Sequence, residues 1–204
     1  MDQRTNEWFQ IRCGKVTASR VADVMAKTKT GYSASRDSYM AQLAVERITG
    51  KPQESFTNAA MQWGTDQEPF ARATYEIKTG LMVEEIGFVA HPEIENAGAS
   101  PDGLVGKDGL IEIKCPDTKT LIDQLLNKTI PDKYFKQMQW QMDCTDRKWC
   151  DYVVFDPRMP EGLQMIIKRV ERDHIFIKEM RAEVKKFLNE LEYQIKQLLE
   201  LKNE

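Results

Sequence analysis

Ser100-Pro101-Asp102-Gly103-Leu104 and, a short turn later, Leu110-Ile111-Glu112-Ile113-Lys114-Cys115-Pro116 are the residues on which the reading of this chain depends. Side chains alternate along a strand. Glu112 and Lys114 therefore project to one face, and Ile111, Ile113 and Cys115 to the other. A carboxylate and an ammonium set among apolar residues are costly to bury unless they are paired or bound to something. The turn Gly106-Lys107-Asp108-Gly109 folds the preceding segment back, so a hairpin brings Asp102 beside Glu112. On these residues alone a surface turn with a cross-strand ion pair remains an alternative, because Asp-Gly turns and Glu-x-Lys strands are common.

Working outward, the period of two continues on both sides. Met82 to Ala90, Ala97 to Val105 and Gly109 to Cys115 read as three consecutive strands, and Lys148 to Phe155 and Leu163 to Val170 as two more. Helical periodicity marks Ala18 to Met25, Ser38 to Ile48, Asn58 to Thr79, Thr118 to Asn127 and Asp132 to Asp143. Gly50, Gly80 and Pro131 supply the breaks. The polar stretch Thr28 to Ser38 reads as a mobile loop. A long amphipathic helix over about 173–201 carries Ile177, Met180, Val184, Phe187, Leu191, Ile195 and Leu198 in steps of three and four. The fold class is α/β (α+β): a small mixed sheet flanked by helices. The expectation is one domain over 1–204, with the trailing helix packed on it or making a subunit contact.

Composition narrows the function. The 204 residues carry 41% hydrophobic and 30% charged side chains, a mixture that buries a core. Lys and Arg total 29 against 32 Asp and Glu, for a net charge of −3. That argues against a protein that coats DNA by bulk charge, but it leaves room for a basic channel, since binding depends on the local field. No apolar run is long enough to span a bilayer. The polar start from Met1 to Glu7 lacks a signal-peptide pattern, so a cytosolic location is expected. Cys13, Cys115, Cys144 and Cys150 form no C-x-x-C pair, and free buried thiols are the plain account. His91 and His174 sit in no motif, which leaves a His-metal or Ser-His-Asp hydrolase poorly supported. No phosphate-binding G-x-x-x-x-G-K-[ST] loop is present.

Two convergent carboxylates form a hard-oxygen site suited to Mg²⁺ or Mn²⁺. A neighbouring lysine can orient or deprotonate water, or offset charge on a phosphorane-like transition state. The matching reaction class is metal-assisted phosphodiester hydrolysis.

With these residues in place, the chain resembles the PD-(D/E)xK nuclease superfamily, and within it the phage lambda exonuclease branch, the YqaJ-like viral recombinases. The likeness runs from Glu7-Trp8-Phe9-Gln10-Ile11-Arg12-Cys13-Gly14-Lys15-Val16-Thr17-Ala18-Ser19 through Trp63-Gly64-Thr65-Asp66-Gln67-Glu68, the Ser100 and Glu112 blocks and Gln137-Met138-Gln139-Trp140, to Tyr152–Met159. The resemblance implies a restriction-endonuclease-like mixed central sheet. It implies Asp102 and Glu112 as metal-binding carboxylates, the Ile113 carbonyl as a further ligand, Lys114 as the catalytic lysine and Glu68 as another acidic group near the metals. Gln139 is preferred over Gln137 as the active-site glutamine, since only one of them shares a helical face with the metals. Arg12, Ser19 and Ser100 match the 5′-phosphate pocket. The fork of donors on Arg12 suits phosphate, and Ser19 lies near a predicted helix start. Met61 matches an apolar wedge against the terminal base pairs, its alternative being a core methionine.

The implied activity is 5′ to 3′ digestion of one strand of linear duplex DNA to 5′-mononucleotides. It leaves a 3′ tail for a single-strand annealing protein. The implied state is a ring-shaped homotrimer with two Mg²⁺ (or Mn²⁺) ions per active site, phage or prophage encoded, in the cytoplasm of a bacterial host. Two rival readings are an endonuclease on the same core and a non-catalytic scaffold that binds DNA ends. Cleavage of closed circles would favour the first. The presence of Asp102, Glu112 and Lys114 together disfavours the second.

Overall fold

The computed structural model describes residues 2–53 and 58–201. In chain order the helices are α1 (Asn6–Arg12), α2 (Val21–Val24), α3 (Ala34–Thr49), α4 (Ala59–Thr79), α5 (Thr118–Asn127), α6 (Asp132–Thr145) and α7 (His174–Leu201). The strands are β1 (Val16–Thr17), β2 (Lys27–Thr28), β3 (Gly31–Tyr32), β4 (Val83–Glu84), β5 (Val89–Ala90), β6 (Ala97–Ala99), β7 (Gly103–Val105), β8 (Gly109–Lys114), β9 (Trp149–Phe155) and β10 (Met165–Glu171).

Strand β8 is the axis of the fold. Its residues from Gly109 to Ile113 are buried, the mark of a strand covered on both faces. It pairs parallel with β9 and antiparallel with β7, at the centre of a mixed sheet ordered β10-β9-β8-β7-β4. On one face Ile111, Ile113, Cys115, Val153 and Phe155 pack against Ala71 and Tyr75 of α4. On the other, Leu110, Cys150, Tyr152 and Val154 pack against Leu121 of α5 and Met138 and Met142 of α6. The alternation read from the sequence is thus the division between two cores.

A second sheet, β1-β6-β5, belongs to a third core with α2, α3 and α7. There Val16, Ala97 and Ala99 meet Leu43, Trp140, Phe187 and Leu191. Val16, Leu43, Phe187 and Leu191 each contribute about 1.5–3 kcal/mol when fully buried. Helix α7 is buried up to Leu191 and still packs Ile195 against this core, while Leu198, Leu199 and Leu201 are exposed.

Local signals set the element ends. Asn58 caps α4 by accepting the Met61 amide at 2.9 Å, and Asp117 caps α5 by accepting the Thr120 amide at 2.8 Å. Gly80 closes α4 in the left-handed region at φ 71°.

Three expectations are corrected. The stretch Met82 to Ala90 is not one strand but β4 and β5, which belong to different sheets. Ala97 to Val105 is likewise split into β6 and β7. Pro101 has no N–H to give a ladder, and the chain changes sheets there. Gly103 permits the new pairing, because a Cβ there would lie 2.3 Å from Val83 Cγ1 on β4. Finally, Thr28 to Ser38 is not a plain loop. It contains the β2–β3 hairpin, and α3 begins at Ala34, four residues before the expected start.

Candidate active site

The change of sheets at Ser100-Pro101-Asp102 places Asp102 at the head of β7, where the β7–β8 register continues toward Glu112. Asp102 Oδ2 accepts the Ile113 amide at 2.7 Å. Glu112 is fully buried. Its Oε1 accepts Gln137 Nε2 at 2.6 Å and pairs with the Lys114 ammonium, and its Oε2 accepts Gln141 Nε2 at 2.6 Å. Tyr134 lies below Lys114, with Nζ 5.2 Å from its ring centre. The structure therefore brings Asp102, Glu112 and Lys114 together.

The electrostatics are unbalanced. Burial, and then the charge of Glu112, push the Asp102 carboxyl well above the usual range. Burial opposes the Lys114 ammonium, but Glu112 and Asp102 outweigh it and hold its pKa above the ordinary value. Lys114 is thus a charged donor at neutral pH. Two carboxyl groups face one ammonium, and burial disfavours charge on Asp102 until a cation is present to compensate it. That donor set fits a hard divalent cation.

Among the described residues no three His, Cys, Asp or Glu side chains form a ready metal cluster. Glu68 on α4 lines a cavity with Asp102 but is engaged by two arginines. It does not turn to the other carboxylates: its Oε2 accepts Arg4 Nη2 at 2.5 Å and its Oε1 pairs with Arg72 at 3.4 Å.

Gln139, the glutamine preferred from the sequence, is not in this constellation. Its Nε2 donates to the Glu171 carbonyl at 2.8 Å and its Oε1 accepts the Asp173 amide at 2.8 Å. Gln137 and Gln141 lie one turn apart on α6 and share the face toward β8. Position 139 falls on the other side, where it ties α6 to the start of α7. Gln141 escaped the sequence reading, although its spacing of four from Gln137 was a usable signal.

A second cluster lies on the other side of Pro101. Ser100 Oγ accepts Arg12 Nη1 at 3.0 Å and Trp8 Nε1 at 3.0 Å. With both acceptor positions taken, the Ser100 hydroxyl proton is left to donate. The Arg12 guanidinium stacks 4.0 Å above the Trp8 ring, again across one helical turn. Burial lowers the Arg12 pKa to about 10, against the pull of Tyr39 and Glu46. Among the described residues no carboxylate forms an ion pair with it. Arg12, Lys15, Ser19 and Arg20 line a cavity of about 360 Å³.

Ser19 sits in the one-turn helix Ala18–Arg20, its Oγ 3.5 Å from Thr17 Oγ1. The α-helix that follows has only four residues, so the helix-end effect anticipated for Ser19 is small. Met61 lines the same cavity and is half exposed, which removes the core-methionine alternative. Trp8, Lys15 and Arg20 were not singled out in advance.

Comparison with known proteins then decides the family. A model described as a YqaJ-like viral recombinase domain matches residues 7–148. The chain belongs to this family. An alkaline exonuclease (LHK-Exo) from Laribacter hongkongensis has a crystal structure that is 52% identical to this chain, with a TM-score of 0.92 over 98% of both chains. The structure of LHK-Exo in complex with dAMP is 53% identical, with a TM-score of 0.90 over 95% of this chain and 96% of that one. Uncharacterized protein R354 of Acanthamoeba polyphaga mimivirus is 24% identical over 166 residues, which are 74% of this chain. The match spans 29% of that longer relative. Family membership and likeness to an exonuclease along the whole fold support a nuclease role. No helix among the described residues is long and apolar enough to cross a membrane.

Proposed function

We propose that this chain, read as a single domain, is a divalent-metal-dependent 5′ to 3′ exonuclease acting on linear duplex DNA. It releases 5′-mononucleotides and leaves a 3′ single-stranded tail. The observation that carries the reading is the adjacency of two sites on one short segment: Ser100 bonded to Arg12, and Asp102 beside Glu112 and Lys114. Two residues of chain span at most about 7 Å, within roughly the reach of one nucleotide. A terminal 5′-phosphate held by Arg12, Ser19 and Ser100 would present the next phosphodiester to the carboxylates.

In this reading Asp102 and Glu112 hold Mg²⁺ or Mn²⁺ ions, two per active site, with the Ile113 carbonyl as a further ligand and Glu68 nearby. The metal, when bound, lowers the pKa of attacking water and offsets charge on the phosphate oxygens. Gln137 and Gln141 fix the Glu112 carboxylate so that it does not reorganise during reaction. Lys114, charged and held by Glu112, donates toward the phosphate and offsets developing negative charge. Arg12 and Ser100 bind and orient the end. Met61, exposed at the rim, separates the terminal base pairs. The mononucleotide bound in the dAMP complex of LHK-Exo is consistent with such a product.

The family likeness also supports a homotrimeric ring that threads duplex, an annealing protein as partner, and a phage or prophage origin with work in the host cytoplasm. The test is incubation with Mg²⁺ on linear and closed circular duplex. Linear DNA should be reduced to mononucleotides and circles left intact. Cut circles would replace this reading with an endonuclease.

A further inference from the structure

The N-terminal segment, Asp2 to Thr5, is built into the acidic site rather than lying apart from it. Gln3 Nε2 donates to the Ile86 carbonyl at 2.8 Å and to the Pro101 carbonyl at 2.7 Å, the second immediately before Asp102. Arg4 follows in the left-handed region at φ 68°, a conformation uncommon for a side chain of its size. Its guanidinium reaches the outer oxygen of Glu68 at 2.5 Å. Arg4, Glu68, Arg72 and Asp102 line one cavity of about 400 Å³. The charge of Glu68 is close enough to Asp102 to help raise its pKa.

The two arginines on Glu68 are not equivalent. Arg72 projects from α4 itself, is mostly buried and is also paired with Glu85. Arg4 is about half exposed and hangs on a four-residue strap. A cation that approaches Asp102 and Glu112 from this cavity meets a third carboxylate that already holds a positive charge.

We infer that Arg4 is a built-in counter-ion that competes with the divalent cation for Glu68, so that the N-terminal strap sets how readily Glu68 joins the metal site. The inference rests on the metal reading of Asp102 and Glu112. It assigns the strap a purpose: without metal, Arg4 keeps Glu68 from adding a third carboxylate's charge, unpaired, to a buried acidic pocket. On loading, the oxygen of Glu68 exchanges a guanidinium for the ion, and Arg4 is released into the cavity.

The test is Mn²⁺ binding by calorimetry without DNA, so that no turnover enters the readout. Arg4→Gln should bind Mn²⁺ about threefold to fivefold more tightly than the parent protein, the upper range for a partly exposed ion pair. Arg4→Lys, which keeps the charge, should stay near the parent. In Arg4→Gln/Glu68→Gln the gain should vanish, which separates competition from a general loosening of the fold. Equal or weaker binding by Arg4→Gln, in a protein whose Glu112→Ala variant loses Mn²⁺ affinity, would overturn the inference and leave the metal reading standing. Absence of Mn²⁺ binding in the parent protein would overturn the metal reading, and this inference with it.

Discussion

Asp143→Asn removes one charge from a buried carboxylate that accepts four side-chain hydrogen bonds. Asp143 lies on α6, the helix that carries Gln137 and Gln141. Its Oδ2 accepts His91 Nε2 at 3.0 Å and Arg181 Nε at 2.7 Å. Its Oδ1 accepts Arg181 Nη2 at 2.8 Å and Arg172 Nη2 at 2.9 Å. His91 Nδ1 accepts the amides of Glu93 and Ile94, both at 3.0 Å, so its Nε2 carries the proton that it donates to Asp143. Burial alone would raise the Asp143 pKa. The hydrogen bonds of His91 and Arg181, with the charge of Arg181, outweigh it and lower the pKa to about 2.

A fall from 3.8 to about 2 corresponds to about 2 kcal/mol of stability. Truncating one partner of a buried ion pair costs about 3–5 kcal/mol. Both arginines keep other partners, Glu93 for Arg181 and Asp146 for Arg172, which places the loss near the lower figure. The expected cost of Asp143→Asn is about 3 kcal/mol, or a fall in Tm of about 6–12 °C for a chain of this size. The sign with pH follows from the lowered pKa. The charge-dependent contribution is complete above the unfolded value and lost as pH falls through the folded one. Thermal unfolding followed by circular dichroism should therefore show a gap between parent and variant that is constant from pH 8 to pH 5 and shrinks toward pH 3. A fall below 2 °C at pH 7, or a gap that widens on acidification, would refute the reasoning.

Three further outcomes are expected. Lys114→Ala should abolish cleavage while leaving DNA binding intact by gel shift, and unchanged turnover would remove Lys114 from the chemistry. Arg12→Ala should reduce turnover of 5′-phosphorylated ends by about tenfold or more, since a charge-assisted contact to phosphate is worth about 1.5–3 kcal/mol. Equal loss on 5′-hydroxyl ends would move Arg12 out of the phosphate pocket. Gln137→Ala should lower kcat with little change in Tm, whereas Gln139→Ala should lower Tm and spare kcat. The reverse pattern would restore Gln139 to the site.

The parts of the fold legible in the sequence were those with a long, uninterrupted period. The helical period from Asn58 and the Gly80 stop marked α4 within a residue, and steps of three and four marked α7. Strand β8 was legible because both its faces repeat at two. What was not legible depended on contacts distant in sequence. Pro101 marks a break between β6 and β7, but nothing local says which sheet each strand joins, or that β4 and β5 join different ones; only their partners decide it. The same holds in the site. Asp102, Glu112 and Lys114 could be grouped because a hairpin relates them. Arg4 meets Glu68 across 64 positions, a separation no local pattern encodes. The choice of Gln139 failed for a different reason. The rotation of α6 is set by its packing against α2, α7, β6 and β9, and a shift of two residues turns a helix to its other side.

The most direct test of the central claim is a comparison of ends. Linear duplex is labelled at one 5′ terminus, carrying either a 5′-phosphate or a 5′-hydroxyl, and a matching duplex is labelled at the 3′ terminus. Both are incubated with Mg²⁺ and the purified protein. The account predicts that label from the phosphorylated 5′ end appears first as mononucleotide, that the hydroxyl end reacts slowly, and that the 3′ label stays in long single strands. Early release of the 3′ label, or no metal-dependent release from either end, would contradict it.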